Sequence, residues 1–220
     1  MYSDLEKTIQ WLKENDWEIK DPWDVVEAFE QMVANYAGSK YAVAVDSCTN
    51  AMFLCLKYLN ARGEIEVPKN TYLSVPQLVI HAGCTPKFVD LEWSGVYKLK
   101  PYPVVDSATR FTKNMYIKGT YQCLSFHIRK ILPIAKGGMI LTDDENAVKW
   151  FKEAEYEGRD RRVPHDEMPE PTICGWNMYM PPEQAAKGIE LFKSINEENP
   201  DCGGSYKYKD LSGYKMFRSK

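Results

Sequence analysis

Residues 41–60 read YAVAVDSCTNAMFLCLKYLN. Tyr41–Asp46 is a short apolar run closed by an acid, which has the length and composition of a buried strand. Ser47, Cys48, Thr49 and Asn50 follow, and hydroxyl side chains ahead of an apolar run mark a helix start. Thr49–Asn60 is apolar on most sides, which predicts a buried helix. A strand that feeds directly into such a helix is the first half of a βαβ unit.

The alternation continues in both directions. Downstream, the pattern predicts strands at Ile65–Pro68, Thr85–Leu91, Pro103–Asp106, Tyr121–Phe126 and Met139–Thr142. Helices are predicted at Leu73–Ala82, with Pro76 in its first turn, at Glu145–Glu155 and at Pro182–Ser194. Upstream, one helix is expected over 3–14. A second is started by Asp21-Pro22, carries the stripe Val25, Phe29, Met32, Val33 and Tyr36, and stops at Gly38. Strands separated by helices imply an α/β fold with a mostly parallel sheet, although Gly137-Gly138 allows a hairpin-like return. The expected organisation is an N-terminal helical segment (1–38), a large ligand-binding domain (39–198) and a short tail (199–220). Residues 158–174 are charged and Pro-rich, and are expected to cross a surface or reach a partner subunit.

Composition removes several classes. Lys plus Arg is 28 and Asp plus Glu 31, for a net charge of −3, so there is no basic excess for generic nucleic-acid binding. No apolar run approaches the ~18 residues of a membrane span. The start MYSDLE is polar and acidic, and no signal peptide is expected. Six cysteines without a CxxC pair and three scattered histidines disfavour a zinc site. Reduced, buried thiols in a cytoplasmic protein are the expectation.

In open α/β sheets, ligands bind beyond the carboxyl ends of the strands. Ser47, Cys48 and Thr49 open a helix there, as a phosphate site or as an ordinary cap. Asp106 ends a strand as a helix cap, a metal ligand, or a buried anion facing a cationic ring nitrogen. Ser125 ends another, and Lys130 follows, ahead of Gly137-Gly138. A lysine there is either a solvated loop residue or a nucleophile with a depressed pKa. Together and in this chain order, these are the parts of a pyridoxal phosphate (PLP) site. The helix start and Ser bind the phosphate, Asp holds the pyridinium proton and Lys forms the Schiff base.

At this point the chain resembles a known family, the PLP-dependent sugar aminotransferases of the DegT/StrS group, of fold type I. FEQMVANYAGSKYAVAVDSCTNAMFLCL (29–56) is similar to the family's entry segment, which ends in S-G-T-x-A-L. VPKNTYLSVPQLVIHAGCTPKFVDL (67–91), PVVDSA (103–108), GTYQCLSFHIRKILPIAKGGMILTDD (119–144) and ICGWNMYMPPEQAAKGIELF (173–192) resemble its later motifs, in order. The resemblance implies a three-layer αβα large domain and a homodimer with its sites at the interface. By position, Lys130 is implied as the Schiff-base lysine and Asp106 as the pyridinium partner. Tyr72 is implied as the aromatic stacked on the ring, with Thr109 beside it. Ser47, Cys48, Thr49 and Ser125 are implied as the phosphate shell, and Asn177 as the residue reaching the neighbouring subunit's phosphate.

The departures are specific. Cys48 stands where Gly is usual, Lys136 where an acid precedes Gly-Gly, Thr109 where Gln or His is common, and Tyr179 where an Arg is expected near the substrate. Only a dozen residues separate Asp90 from Pro103, in place of a strand–helix–strand excursion, and the C-terminal small domain is expected to be largely missing. The function implied by the resemblance is transfer of an amino group from an amino-acid donor to a keto-sugar, nucleotide-linked in the family's manner. The alternative, from another class, is a PLP-binding protein with a binding or regulatory role and no transamination. Dehydration is a third reading, opposed by Lys130, since dehydratase relatives carry His there.

Overall fold

A capping box starts the first helix: Ser3 Oγ accepts from Glu6 N–H, and the Glu6 carboxylate accepts from Ser3 N–H at 2.6 Å. In this computed structural model, residues 3–217 are described; residues 1–2 and 218–220, the outermost parts of the expected N-terminal segment and tail, lie outside the described residues. Among the described residues six α-helices follow one another as α1 (Asp4–Glu14), α2 (Trp23–Ala37), α3 (Cys48–Tyr58), α4 (Ser74–His81), α5 (Glu145–Ala154) and α6 (Pro182–Phe192). Seven strands lie between them: β1 (Tyr41–Val45), β2 (Glu64–Pro68), β3 (Thr85–Val89), β4 (Tyr97–Lys98), β5 (Val104–Asp106), β6 (Tyr121–Ser125) and β7 (Gly138–Thr142). As expected, α2 ends at Gly38, whose φ of 84° is the left-handed conformation that closes helices without a Cβ penalty.

The five-stranded sheet has the order β1-β7-β6-β5-β4, and β2 and β3 form a separate parallel pair. The α/β class holds, and the sheet is mixed in direction. β5 and β6 pair in parallel, while β7 runs antiparallel to both β1 and β6, and β4 antiparallel to β5. β1, β5 and β6 therefore point the same way. The Gly137-Gly138 stretch does turn the chain back as a hairpin-like return. β4 is absent from the sequence expectations because two residues are too few for any periodicity.

Side chains alternate between the two faces of the sheet. Val43, Val45, Cys123 and Ile140 pack into one core with α3, α4 and α5. Ala42, Ala44, Leu124, Met139 and Leu141 pack into the other with α1, α2 and α6. These are the three layers implied by the resemblance. One charged group sits between layers: Glu30 of α2 is buried, takes Ala44 N–H of β1 at 2.9 Å, and pairs with Lys152 of α5 at 2.9 Å.

The stretch 199–217 returns across the sheet edge beside β4. Cys202 N–H donates to Thr109 C=O at 2.8 Å, Ser205 N–H to Trp93 C=O at 2.9 Å and Leu211 N–H to Lys69 C=O at 2.8 Å. Arg110 grips Asp201 through two bonds of 2.7 Å. No helix of the described residues is long and apolar enough to cross a membrane.

Candidate active site

Because β1, β5 and β6 share a direction, their carboxyl ends meet at one edge, and the chain leaves them at Asp46-Ser47, Asp106 and Ser125. Gly138 locks this edge together. It sits opposite Val45 on one side and Ser125 on the other. A Cβ on Gly138 would lie 2.3 Å from the Ser47 carbonyl carbon and 2.5 Å from Cys48 N. The backbone of β7 is thus pressed onto the start of α3, an approach only glycine permits.

Ser47 caps α3, its Oγ accepting from Asn50 N–H. The cap leaves the first amides, those of Cys48 and Thr49, without intrahelical partners. Asp46 braces the turn by accepting from Asn50 Nδ2 at 2.7 Å and from Lys136 Nζ at 3.0 Å. Lys136, the departure ahead of Gly-Gly, is thereby tied back to the end of β1. Thr49 Oγ1 lies 2.7 Å from Ser74 Oγ, so the starts of α3 and α4 meet at two hydroxyls.

These groups border a cavity of about 660 Å³, within the usual range for a small-molecule site. Ser47, Cys48, Thr49, Tyr72, Asp106, Thr109, Ser125 and Lys130 all line it. Eight of the nine residues singled out in the sequence are brought together. Asn177 is the exception: it is exposed, bridged to Tyr156, and donates to Glu157 at 3.1 Å. Tyr179, where the resemblance puts an Arg near the substrate, lies in an aromatic cluster. It packs against Trp23 and Tyr156, with ring centroids 5.6 and 4.9 Å away, and does not line the cavity. An aromatic ring gains more from that cluster than from facing water.

Asp106 is 5% exposed. No helix starts after it, so the helix-cap role is not realised, and among the described residues no group of three potential metal ligands includes it. Its Oδ1 accepts Ala108 N–H at 2.8 Å and its Oδ2 accepts Tyr97 O–H at 2.5 Å. Burial raises its pKa above the ordinary value, against the pull of the Tyr97 hydroxyl, the Ala108 amide, the Lys130 charge and the Cys48 thiol. Cys48 points inward, its Sγ 3.4 Å from Cys123 C=O, and burial followed by the Asp106 charge pushes its thiol well up. It therefore offers the cavity its backbone amide rather than its sulfur. Thr109 is buried with its hydroxyl directed to Gly203 C=O at 2.9 Å and Gly95 C=O at 3.2 Å. Its hydroxyl is spent on holding the tail against the β3–β4 connection. Lys130 is half-buried, its own N–H bonded to His127 C=O at 2.8 Å in a tight turn after β6. Tyr72 stands at the mouth, 62% exposed.

Residues not foreseen from sequence complete the walls. Trp93, Lys207 and Tyr208 line the cavity. Trp93 and Tyr208 stack at 5.8 Å, and Tyr72 meets Tyr208 edge-on at 6.4 Å. Burial and the negative Asp106 push the Tyr208 hydroxyl up to about 12. Trp93 sits in the short stretch read as a lost excursion, and Tyr208 in a tail without periodicity, so no local pattern marked either. His127, Arg129, Lys136 and Lys207 add basic groups to the rim.

The donor set suits PLP. A buried acid lies at the floor with a lysine in the same cavity, an aromatic stands at the mouth, and open helix amides with nearby hydroxyls form an anion cradle.

The profile of the DegT/DnrJ/EryC1/StrS aminotransferase family matches residues 2–117 and 113–201. Among curated proteins, the chain is 32% identical over 139 residues to the spore coat polysaccharide biosynthesis protein SpsC of Bacillus subtilis (strain 168), covering 61% of this chain and 35% of that protein. It is 24% identical over 216 residues to the 3-oxo-glucose-6-phosphate:glutamate aminotransferase of the same organism, covering 79% and 48%. The chain thus spans half or less of the length of these two relatives. Among solved structures, AtS13 from Actinomadura melliaura superimposes with a TM-score of 0.72 at 16% identity, covering 89% of this chain and 65% of that one.

Proposed function

The chain belongs to the DegT/DnrJ/EryC1/StrS aminotransferase family, and from that premise we propose that it works as a PLP-dependent aminotransferase on a keto-sugar, with an amino acid as donor. The observation that carries this reading is the gathering of Lys130, Asp106 and the Ser47–Thr49 helix start around one cavity. When bound, PLP supplies an electron sink for the carbon that loses a proton.

The rest falls to the chain's own residues. The amides of Cys48 and Thr49, with the Thr49 and Ser125 hydroxyls, would hold the phosphate. Asp106 would hold the ring nitrogen in its protonated form, which its buried position suits, because an opposite charge there faces little competition from water. Tyr72 would cover the ring and Thr109 would flank it. Lys130 Nζ would hold the cofactor, and its amine would move a proton as general base and acid. Asn177, outward-facing at the edge, would reach the phosphate in a second copy, making the working unit a homodimer in the cytoplasm. The basic rim of Arg129, Lys136 and Lys207 favours a sugar that bears phosphate or a nucleotide diphosphate. A PLP-binding role without transamination is not favoured, since lysine and buried acid are both kept.

An absorption spectrum with PLP before and after glutamate tests the activity, and borohydride reduction with peptide mapping tests the lysine. The expected outcome is a visible band discharged by the donor, with label on the Lys130 peptide. A label elsewhere, or a band no amino acid or amino-sugar discharges, would set the proposal aside.

A further inference from the structure

Two side chains make a hydrogen-bonded line into Asp106: Tyr97, which does not border the cavity, and Thr71, which does. Tyr97 of β4 is 5% exposed and sits directly across the antiparallel pair from Asp106. Its hydroxyl is 2.5 Å from Asp106 Oδ2 and 2.6 Å from Thr71 Oγ1. Thr71, just after β2 and 2% exposed, closes the line. A carboxylate only accepts, so the phenol hydrogen goes to Asp106 and the Thr71 hydrogen to the Tyr97 oxygen. The polarity of the line is fixed, running Thr71 to Tyr97 to Asp106, and both hydroxyls are satisfied in the interior.

We propose that Tyr97, supported by Thr71, is a positioning residue that keeps Asp106 ionised and aimed at the cavity, and so sets the pH range over which the site accepts a cationic ring nitrogen. Three observations carry this. Asp106 is buried, and burial alone favours its neutral form. Tyr97 gives it a short bond from a direction the cavity does not use, leaving acceptor capacity on the cavity side. Tyr97 lies on the two-residue strand β4, paired directly across from Asp106, so the sheet itself holds the phenol beside the carboxylate.

The titratable and charged groups facing Asp106 are Tyr97 from β4, Cys48 from α3, Cys123 from β6, Lys130 from the turn after β6 and Tyr208 from the tail. Of these, only Tyr97 makes a bond of ordinary length to the carboxylate; the Cys48 thiol is 3.9 Å away. A weak thiol at that distance cannot replace a phenol. The inference concerns the same site as the proposed function, and the first measurement below does not depend on it.

The experiment follows the Asp106 carboxyl by ¹³C NMR titration in the cofactor-free full chain, comparing wild type, Tyr97→Phe and Thr71→Val. Tyr97→Phe keeps the ring and removes one donor. Its Asp106 midpoint is expected to move to higher pH, with Thr71→Val moving it less in the same direction. A midpoint unchanged in Tyr97→Phe overturns the proposal. Should Tyr97→Phe not fold, Thr71→Val decides by the same criterion. A second measurement titrates PLP into the same proteins by tryptophan fluorescence across pH. Tyr97→Phe is expected to weaken binding about tenfold near neutrality, the low end for losing a hydrogen bond to a charged group, with the acid limb displaced upward. Uniform weakening at every pH marks mere packing and overturns it. Failure of wild type to bind PLP while the NMR midpoint still shifts would reject the proposed function and keep the role of Tyr97.

Discussion

Asp106 shows how one residue's burial becomes a chemical property. Held 5% exposed with a phenol and an amide as partners, it carries its charge where few water dipoles screen it. Replacing it with Asn keeps the shape and removes the charge that, in the proposed reaction, would stabilise the transition state. Asp106→Asn is therefore expected to bind PLP still, yet lose the half-reaction with glutamate by roughly 10²–10³-fold, the scale of one lost electrostatic partner; stopped-flow absorbance checks this. Lys130→Ala is expected to lose the visible band while keeping its far-ultraviolet circular dichroism, because Lys130 is only half-buried and packs no core. The position of Asp106 at a strand end was legible in PVVD. Its phenol partner was not, because Tyr97 reaches it through a cross-strand pair of two residues that no sequence window resolves.

At the scale of elements, the cradle depends on β7 lying against the first turn of α3. Gly138→Ala would drive a methyl into the Ser47–Cys48 peptide. The backbone on both sides is strand or helix, so neither can yield without breaking register. A destabilisation of about 1–3 kcal/mol, typical of overpacking, is expected in urea unfolding, together with weakened PLP affinity. Gly137-Gly138 was readable as a turn, but the need for glycine at 138 comes from α3, ninety residues earlier in the chain. A second junction joins α5 to the charged segment after it. Glu155 is fully buried, 3.2 Å from Arg161, with Oε2 lacking a hydrogen-bond partner, as does Arg161 Nη2. Burial pushes its pKa well above the ordinary 4.5, against the Arg161 charge. The folded state then holds a proton that the unfolded chain gives up near 4.5, so this contribution to stability is present at low pH and fades as pH rises from there through the folded value. Glu155→Gln is thus expected to cost less stability at pH 8 than at pH 5, as measured by chemical denaturation at the two values.

For the whole molecule, the proposed homodimer follows from what is left open around the cavity. Tyr72 and Ile128 are 62% and 63% exposed beside it, and Leu73 is 40% exposed. Exposed apolar side chains near a polar site are suited to a protein partner. Light scattering is expected to give twice the chain mass. Asn177→Ala, at a residue that does not line its own chain's cavity, is expected to weaken PLP binding by about 1–3 kcal/mol through the second copy. A monomer that binds PLP tightly would count against the shared site.

By itself the sequence determined the alternation of strands and helices, the cap at Ser47, the chain order Ser47–Thr49, Asp106, Ser125 and Lys130, and the family resemblance those residues carry. These are local or ordered along the chain, and periodicity, capping and motif order need no third dimension. Only the tertiary structure decided the mixed strand directions, the two-residue β4, the closing of the cavity by Trp93 and Tyr208, the inward turn of the Cys48 sulfur and the withdrawal of Tyr179 into an aromatic cluster. Each of these depends on a contact between segments far apart in sequence. Strand direction is set by which edges can pair, and a side chain's direction by which neighbour takes its apolar surface or its hydrogen bond, and neither is written in the residues next to it.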